Sequence, residues 1–556
     1  MAIDNYDIAE QFSLLSKLMD IHGENSFKVK SYSIAAFTIE KLPKQLTEMQ
    51  AAEIFSVKGI GDAIGKKILT IVETGELPLL NEFIQKTPPG VIEMLRIKGL
   101  GPKKIATIWK EMEIESIGEL LYACQENRLL LYKGFGEKTQ KAVHDTIEFF
   151  LKNQGSWLYS EAEAIAQALT QKLSLAIPDE KWAITGDFRR QLEIVEKLEW
   201  VTTAKASDLK ELWIEEDFSI EEDGIERIAF KSPEKLRLVF YPTNLENFYS
   251  VLFERSASPE FMESWKKKTG WDHQLEYLTE ESIFEQFKIN FIPAFERETA
   301  VIIEKAAAAP LAQTIQISDI LSIIHSHSRW SDGSQTLEEM ADACIEQGFE
   351  YLVISDHSKS AFYANGLNEE RIGEQHRQID ELNERLRPFR IFKSIECDIL
   401  SDGQLDYSNK ILATFDLVIA SIHSNLKMTE EKAMNRLLKA IENPYTRILG
   451  HMTGRLLLSR PGYPVNYEKI IDACAANQVV IELNAHPRRL DMDWRWIGKA
   501  LEKGVLISID PDAHSIEGFK DIRYGVLSAQ KAGLTKFQNL SSFNLDEFER
   551  FLKSKN

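Results

Sequence analysis

The second half of the chain contains seven short apolar runs separated by helical segments, and this alternation constrains the fold more than any other feature. The runs are ILSIIHSHS, YLVISDH, RIFKSIECDIL, DLVIASIHS, RILGHM, VVIELNAH and VLISIDPDAH. Short apolar strands that alternate with helices favour a parallel sheet, and seven of them predict a parallel α/β barrel. The carboxyl ends of barrel strands meet on one face, where active sites lie.

The ends of these runs carry imidazoles and carboxylates. Side chains two residues apart on a strand point to the same face, which applies to the pairs at 325/327 and 512/514. Without cations the set would be a poorly paired buried charge cluster. Its nine members suit about three metal ions, with Glu396 bridging two of them, and the mixture favours zinc, manganese or iron over magnesium. The predicted ligands are His325, His327, Asp332, His357, Glu396, His423, His451, Asp512 and His514.

Histidines elsewhere lack this placement. A lone buried histidine is often structural, but six of the 11 histidines lie at predicted strand ends. His486 lies beside Arg488 and Arg489 and is a candidate for the lining of the pocket. The other four are interpreted as surface or structural residues: His22, His144, His273 and His376.

Composition limits the class of protein. At about 100–200 residues per domain, 556 residues predict about three to five domains. No apolar run approaches the roughly 18–20 residues of a membrane span, and the acidic start MAIDNYDIAEQF is unlike a signal peptide. Four cysteines without CxxC spacing fit a reducing cytosol, so we expect a cytoplasmic protein. We also expect a monomer. The net charge of −20 argues against general affinity for nucleic acid but allows a local basic surface.

The first 150 residues are predicted to be helical and contain a weak repeat, KGIG, KGLG and KGFG. Each tetrapeptide has a helical pattern on both sides, as in a helix-hairpin-helix. The glycines permit a tight turn whose N–H groups face a DNA phosphate, and the lysine adds charge. The predicted DNA-binding residues of these three hairpin turns are Lys58, Gly59, Gly61, Lys98, Gly99, Gly101, Lys133, Gly134 and Gly136.

The C-terminal motifs HSHSRWSDG, SDHS, IECD, SIHS, GHMTGR and IDPDAH resemble those of the PHP (polymerase and histidinol phosphatase) metal-dependent phosphoesterases over residues 316–556. This resemblance implies a distorted seven-stranded barrel with a trinuclear metal site, and every ligand position of the pattern is filled. It also implies that Glu396 and Asp512 act in catalysis. Arg455 in GHMTGR, with Arg488 or Arg489, is a candidate to neutralise a phosphate.

Residues 1–315 resemble the family X DNA polymerases through GDFRR, KLRLVFYP and IFEQFKINFIPAFERE. The order of parts is similar to bacterial members that carry a C-terminal PHP domain. The implied fold is multidomain: helical helix-hairpin-helix domains, an α+β nucleotidyltransferase-like palm and thumb, and a distorted (β/α)7 barrel. The expected boundaries are 1–85 (lyase-like), 86–155 (fingers-like), 156–242 (palm-like), 243–304 (thumb-like), 305–319 (linker) and 320–556 (PHP).

The family's nucleotide-binding motif departs from its pattern here. Gly-Ser-x-Arg-Arg-Gly becomes GDFRRQ, with Asp187 for the serine, Arg190 retained and Gln191 for the second glycine. The Asp-x-Asp pair becomes Lys197 and Glu199, and the third aspartate becomes Lys235. An ammonium cannot ligate a cation, and Asp187 would face a triphosphate. Each such contact is worth about 4 kcal/mol at about 4 Å and a dielectric near 20. We therefore expect no magnesium at the palm.

Family members can also carry a lysine that forms a Schiff base in the first domain. The matching position is Lys67, which would need a depressed pKa for that chemistry. A lysine beside another lysine on a helix is more often a phosphate contact.

The leading hypothesis is a DNA-binding 3′–5′ exonuclease or 3′-end phosphoesterase of DNA repair that acts on single-stranded 3′ ends or gapped duplex. One alternative is a gap-filling polymerase with a proofreading domain, against which Lys197 and Lys235 argue. A second alternative is a small-molecule phosphatase, against which the three hairpin turns argue, because a small substrate needs no DNA clamp. A third alternative is a non-enzymatic DNA-end binder, against which the complete set of nine ligands argues.

Overall fold

The computed structural model divides the chain into two compact units, residues 1–154 and 155–556. It describes residues 3–125, 129, 132–152, 155–214, 216–233, 235–272, 275–361, 364–458 and 461–554. The first unit is helical throughout its described part. Its helices are α1 (Asn5–His22), α2 (Ser26–Glu40), α3 (Ala51–Ser56), α4 (Asp62–Thr74), α5 (Pro78–Gln85), α6 (Pro89–Met94), α7 (Pro102–Lys110), α8 (Ile117–Gln125) and α9 (Glu137–Lys152).

Local sequence signals set the ends of these helices. The Asp4 side chain accepts a hydrogen bond from the Asp7 N–H at the start of α1, and Gly23 ends that helix with a φ of +81°. Prolines occupy the first position of α5, α6 and α7, where a missing N–H costs no helical bond. The helices enclose a single apolar core that contains Phe12, Ile68 and Ile105.

The second unit begins with a five-stranded mixed sheet, which we call the palm-like sheet. Its order is β2-β4-β7-β6-β5, and β4 and β7 are its parallel pair. A two-stranded ribbon, β1 with β3, lies beside it in sequence. The strands are β1 (Trp157–Leu158), β2 (Trp182–Thr185), β3 (Ile194–Val195), β4 (Leu198–Thr202), β5 (Ser219–Asp223), β6 (Ile228–Lys231) and β7 (Arg237–Pro242), with helices α10 (Tyr159–Ala176), α11 (Gly186–Arg189) and α12 (Ala206–Ile214).

Four thumb-like helices follow: α13 (Phe248–Arg255), α14 (Pro259–Thr269), α15 (Glu280–Gln286) and α16 (Ala300–Ala308). The expected linker over 305–319 therefore begins inside a helix, because its alanine run is a strong helix former. Ile315 is fully buried, and its N–H donates to the Leu534 carbonyl at 2.8 Å. Ile315 therefore ties the end of this segment to the C-terminal domain.

The C-terminal domain is a barrel of seven parallel strands in the described residues, in sequential order from β8 to β14. A parallel bridge between Ser326 and Ala513 brings the first and last strands together, so the barrel is nearly closed, as the sequence predicted. The strands are β8 (Ser322–Ser326), β9 (Tyr351–Ile354), β10 (Arg390–Asp398), β11 (Leu417–Ser421), β12 (Thr446–Leu449), β13 (Val480–Asn484) and β14 (Ile507–Asp510).

Helices cover the barrel: α17 (Leu337–Glu346), α18 (Glu369–Arg385), α19 (Asn409–Leu412), α20 (Glu430–Ile441), α21 (Tyr467–Asn477), α22 (Trp494–Glu502), α23 (Ile522–Lys531) and α24 (Leu545–Lys553). The strands are buried on both faces, which explains their continuous apolar runs. Cys344, Cys397 and Cys474 are buried free thiols in this domain. Among the described helices, none combines the length and apolar character that a membrane span requires.

Candidate metal centre, hairpin turns and palm cluster

Glu396 lies at the centre of the predicted ligands, at the carboxyl end of the barrel. Its Oε1 is 3.1 Å from His423 Nε2, 3.0 Å from His451 Nε2 and 3.3 Å from His325 Nε2. Its Oε2 is 2.9 Å from His357 Nδ1. The two carboxylate oxygens therefore face different sets of imidazoles, which is the arrangement that a bridging ligand needs.

The remaining predicted ligands complete the cluster. Asp512 Oδ1 is 3.1 Å from His327 Nε2, and His514 Nε2 is 3.5 Å from Asp332 Oδ1. Three overlapping groups have ligand atoms that all lie within 4.8 Å of one another. The groups are His327, Asp332, His357 and His514; His325, His327 and Asp512; and His357, Glu396 and His423.

The backbone at two of these positions is in the left-handed region. His325 has a φ of +59° and Asp512 has a φ of +52°. Such conformations are uncommon outside glycine and occur where surrounding structure enforces them, often at functional sites. The β8 register also shifts between Ile323 and Ser326, and the strand ends at Ser326, one residue before His327. The His325 and His327 rings nevertheless lie 5.3 Å apart between centroids, on the same side.

Three further carboxylates, which are not among the predicted ligands, hold those ligands in place. Glu482 on β13 is fully buried and lies 2.6 Å from His325 Nδ1. Asp398 contacts His423 Nδ1 at 2.5 Å. Asp356 accepts hydrogen bonds from Ser328 and Ser331, which fixes the loop that carries Asp332. Carboxylates that orient ligating imidazoles in this way are typical of metal sites.

The electrostatics of the cluster show how closely its groups depend on one another. Burial, together with His514 and His357, lowers the pKa of His327 to about 3. Burial opposes the charged form of His423, but Glu396 and Asp398 raise its pKa to about 10. The Glu396 carboxyl is fully buried, yet His423 and His325 hold its pKa well below the ordinary value. The cluster thus contains ionised carboxylates that need positive charge beside them.

The residues fit a metal centre. The buried Nδ1 atoms of His327 and His451 have no hydrogen-bond partner among the described residues. Imidazole nitrogens and carboxylate oxygens are the donors that zinc, manganese and iron accept. A metal ion can replace the protons that otherwise hold such a cluster together.

The arginines near the cluster have different surroundings. Arg455 donates to Asp493 Oδ2 at 2.8 Å, to the Arg489 carbonyl at 2.9 Å and to the Leu490 carbonyl, so it holds a loop. Arg489 Nε lies 3.7 Å from Asp512 Oδ2. Direct contact of Arg455 with a phosphate stays a prediction, and the geometry favours Arg489 for that role. His486 is half-buried in the same loop.

Among the other histidines, His22 packs against the rings of Phe83 and Trp109. His376 packs against Phe415, and burial lowers its pKa to about 4. His144 lies on the helical surface beside Asp145. These environments agree with structural or surface positions, and His273 lies outside the described residues.

The three hairpin turns have the same local geometry. Gly59, Gly99 and Gly134 have φ values of +98°, +91° and +96°. A buried apolar residue follows each glycine: Ile60, Leu100 and Phe135. The N–H of each donates a hydrogen bond to the carbonyl three residues earlier, at 3.0, 3.1 and 3.2 Å. Lys58, Lys98 and Lys133 are exposed, and Gly61, Gly101 and Gly136 immediately precede α4, α7 and α9. Each turn thus presents a lysine and a helix N-terminus to solvent. Lys67 lies half-buried on α4.

The palm cluster comprises Asp187, Arg190, Lys197, Glu199 and Lys235 with their partners. Glu199 on β4 is buried, and its Oε1 lies 2.8 Å from Lys197 Nζ and 2.7 Å from Tyr241 Oη. Lys197 and Glu199 therefore form an ion pair within the palm-like sheet. Lys235 lies in the turn before β7 with a φ of +69°.

The arginines of GDFRR also have carboxylate partners within the protein. Arg190 lies 2.6 Å from Asp187 and 3.1 Å from Glu298. Arg189 pairs with Glu280, which also pairs at 2.6 Å with the fully buried Arg297. Gln191, at the second glycine of the family motif, keeps the left-handed conformation that glycine favours, with a φ of +58°.

Comparison with known proteins agrees with this architecture. Residues 3–77 match a helix-hairpin-helix domain, residues 91–148 a SAM-like helix-hairpin-helix tandem, and residues 324–486 a PHP domain. The DNA polymerase/3′-5′ exonuclease PolX of Bacillus subtilis is 32% identical over 98% of this chain and 99% of its own length. A probable phosphatase of Caldanaerobacter subterraneus is 29% identical over 34% of this chain and 74% of its own length.

The B. subtilis match spans nearly the whole of both chains, so it covers the hairpin turns, the palm-like sheet and the barrel together. The matched domains occur in the order that the sequence predicted. The chain therefore belongs to the PolX family, the bacterial family X DNA polymerase-like proteins that join helix-hairpin-helix domains to a C-terminal PHP domain.

Proposed function

We propose that this protein is a DNA-binding, metal-dependent phosphoesterase that processes DNA 3′ ends, as a 3′–5′ exonuclease or 3′-end phosphoesterase in repair. The observation that carries the proposal is the convergence of imidazoles and carboxylates on Glu396 at the carboxyl end of the barrel. The probable phosphatase among the relatives supports phosphoester chemistry, and the name of the B. subtilis relative supports a 3′–5′ exonuclease.

In this proposal the nine predicted ligands hold about three divalent ions of zinc, manganese or iron. Such ions activate a water molecule and offset the charge of a phosphate. Glu482 and Asp398 keep the rings of His325 and His423 in place. Arg489 supplies a guanidinium beside Asp512, where it can pair with a phosphate oxygen. His514, with 42% of its side chain exposed, lies at the open side of the cluster.

The hairpin turns supply the grip on DNA in this proposal. They suit the backbone of a duplex next to a single-stranded 3′ end or a gap, because N–H groups and lysines contact phosphates without reading bases. The active form is proposed to be a monomer in the cytoplasm.

The palm cluster is proposed to be inactive in nucleotide transfer. The Glu199 carboxylate already binds Lys197 and Tyr241, and Arg189 and Arg190 are paired with protein carboxylates. A triphosphate would have to displace those partners and approach Asp187. The competing candidate is a gap-filling polymerase, which the relationship to a DNA polymerase/3′-5′ exonuclease favours.

Two assays on the same preparation separate these candidates. DNA labelled at the 3′ end, single-stranded or gapped, is incubated with manganese, with and without a chelator. We expect metal-dependent loss of the 3′ label on DNA and no templated incorporation when deoxynucleoside triphosphates and magnesium are supplied. Absence of end processing with every metal tested would refute the proposal, and robust primer extension would favour the polymerase.

A further inference from the structure

We propose that the palm-like domain positions the loop of the metal centre that carries Arg489, and that Glu193 is the positioning residue. The loop comprises residues 486–493 and follows β13. This inference rests on the proposed phosphoesterase function, because it assigns Arg489 to a substrate phosphate. It gives the polymerase-like body a role in the chemistry of the barrel besides holding DNA.

Glu193 comes directly before β3 and reaches from the palm-like domain to α22 of the barrel. Its Oε1 is 2.8 Å from Arg495 Nη1, and its Oε2 accepts a hydrogen bond from Trp494 Nε1 at 3.1 Å. Only 10% of its side chain is exposed. Burial by itself would raise the pKa of the Glu193 carboxyl, but Arg495 holds it below the ordinary value. Arg495 keeps 52% of its side chain exposed, so the contact joins a buried carboxylate to a guanidinium at the edge of the interface, and the Trp494 hydrogen bond fixes its geometry.

The contact continues from Arg495 to the loop. Arg495 Nη1 lies 2.9 Å from Asp493 Oδ1, and the other oxygen of Asp493 receives Arg455 Nη1 at 2.8 Å. Arg455 uses its other nitrogens on the backbone carbonyls of Arg489 and Leu490. Each step is a charge-assisted hydrogen bond, so Glu193 is connected to the backbone of Arg489 through three side chains.

Apolar packing supports the same loop from the same side. Leu490 is buried against Leu158 and Ile194, which are paired residues of the β1–β3 ribbon, and against Leu457 of the barrel. Leu490 also has a φ of +42°, a conformation that needs support from its surroundings. The ribbon thus contacts the residue next to Arg489 and restricts where its guanidinium can lie.

Arg489 is the point at which this arrangement meets the metal centre. Its Nε is 3.7 Å from Asp512 Oδ2, and 21% of its side chain is exposed. A guanidinium next to a predicted ligand and open to solvent can bind a phosphate oxygen. Its distance from the ligands depends on the loop backbone, which the barrel and the palm-like ribbon hold together.

A second contact between the same domains provides a matched control. Glu163 of α10 pairs with Arg523 of α23, and 12% of the Glu163 side chain is exposed, close to the value for Glu193. None of its described contacts involves residues 486–493. Glu163→Gln therefore removes a similar interdomain charge without touching the loop.

The test measures kcat and KM for bis(p-nitrophenyl) phosphate with manganese in the full-length protein. We expect Glu193→Gln to raise KM about five- to tenfold with metal content and kcat nearly unchanged, because phosphate binding is lost equally in ground and transition states. Arg495→Gln should do the same from the barrel side, and Glu163→Gln should change KM less than about twofold. In the Arg489→Ala background, Glu193→Gln should have no further effect, because the two residues act through one contact.

The proposal would be overturned if Glu193→Gln and Glu163→Gln raised KM by the same factor. It would also be overturned if the double variant Glu193→Gln with Arg489→Ala raised KM by the product of the two single effects. If the natural protein hydrolyses no phosphodiester, the proposed function fails, and hydrogen exchange decides the positioning role separately. Glu193→Gln should then accelerate amide exchange in residues 486–493, and Glu163→Gln should leave it unchanged. Unchanged exchange in both variants would refute the positioning role.

Discussion

The barrel and the palm-like sheet each contain a cluster of charged side chains, and the two differ in how their charges are balanced. In the palm cluster, Glu199 has Lys197 and Tyr241 on one oxygen, and Arg190 has Asp187 and Glu298. In the barrel, the described partners of the buried Glu396 carboxylate are imidazoles. The Nε2 atoms of His327 and His451 face carboxylates, and their Nδ1 atoms have no hydrogen-bond partner among the described residues.

This difference separates the barrel cluster, which needs a cation, from the palm cluster, in which protein side chains take the place of a cation. A buried carboxylate is costly unless it is paired, and a lysine can serve as the partner as well as a metal ion can. The palm cluster meets the requirement with its own side chains. The barrel cluster combines acids with imidazoles whose donor atoms face inward, which is the composition of a metal site. We expect substitutions in the barrel to change chemistry and substitutions in the palm to change stability.

The largest expected effect is at Glu396. Glu396→Ala should remove more than one metal ion per chain, because the two oxygens of that carboxylate face different imidazoles. We expect phosphodiester hydrolysis to fall at least about a thousandfold. Elemental analysis of the purified variant gives the metal content, and Glu442→Gln on the exposed surface is the control. Metal content equal to that of the natural protein would contradict the ligand assignment.

Glu280, a carboxylate of the ion-pair network around the palm cluster, should behave in the opposite way. Burial would raise its pKa, but Arg297 and Arg189 hold the pKa below the ordinary value, so the pairs stabilise the fold fully above about pH 4.5. Glu280→Gln leaves Arg297 buried without its partner and should cost about 3–5 kcal/mol at pH 7.

The loss at Glu280 should shrink as pH falls below about 4.5 towards the depressed pKa, because the natural carboxyl is then protonated as well. Denaturant unfolding at several pH values, followed by tryptophan fluorescence, measures it. Glu304→Gln, which breaks an exposed pair with Lys268, should have little effect. A pH-independent loss would show that the Glu280 charge is not what stabilises this region.

These residues also show what the sequence could reveal. The alternation of apolar runs and helices predicted the barrel, and imidazoles and carboxylates at the ends of six of the seven runs marked the cluster, because both signals are local. Glu482, Asp398 and Asp356 were missed because their partners come from segments distant in the sequence. Glu482 lies inside VVIELN, which predicts a buried strand and gives no sign of a charge contact. The direction of the Arg455 side chain and the burial of Ile315 likewise depend on distant segments.

Glu482 therefore gives a third test of the comparison. Its two oxygens contact His325 Nδ1 at 2.6 Å and the His451 N–H at 3.1 Å. Glu482→Gln should weaken metal binding about 10–100-fold, because the imidazole loses the carboxylate that orients it. Competition with a chromogenic chelator measures the affinity. An unchanged affinity would mean that the barrel backbone alone holds His325.

Substitutions in the hairpin turns should separate DNA binding from chemistry. Gly99→Val and Gly134→Val place a β-branched residue at a positive φ, where a Cβ would meet no neighbouring atom. We expect DNA binding to weaken about tenfold, with hydrolysis of a small phosphodiester retained. Gly23→Val has the same backbone strain and open space outside a hairpin turn, so it is the control. If DNA binding and phosphodiester hydrolysis fell together without unfolding, the hairpin turns and the barrel would not have separable roles.

The smallest expected effect follows from rebuilding the family's carboxylate pattern in the palm. We expect this change to give no polymerase activity. Lys197→Asp with Lys235→Asp restores two acidic positions, and Coulomb attraction alone would then favour a divalent ion. Asp187 would still face an incoming triphosphate while paired with Arg190 at 2.6 Å. The Glu199 carboxylate also lies against Gly186 and fills the space over the first glycine of the motif.

Two ion pairs outside the substituted positions also oppose nucleotide binding in that variant. Arg190 remains paired with Glu298, and Arg189 remains paired with Glu280. We expect primer extension on gapped DNA to stay at the level of the natural protein with either magnesium or manganese. Lys197→Asp alone is the matched control, since it exchanges the ammonium that pairs with Glu199 for one carboxylate and leaves Lys235 in place. Templated incorporation by the double variant would mean that two charges alone separate this palm from an active one, and incorporation by the natural protein would make the palm cluster a working site.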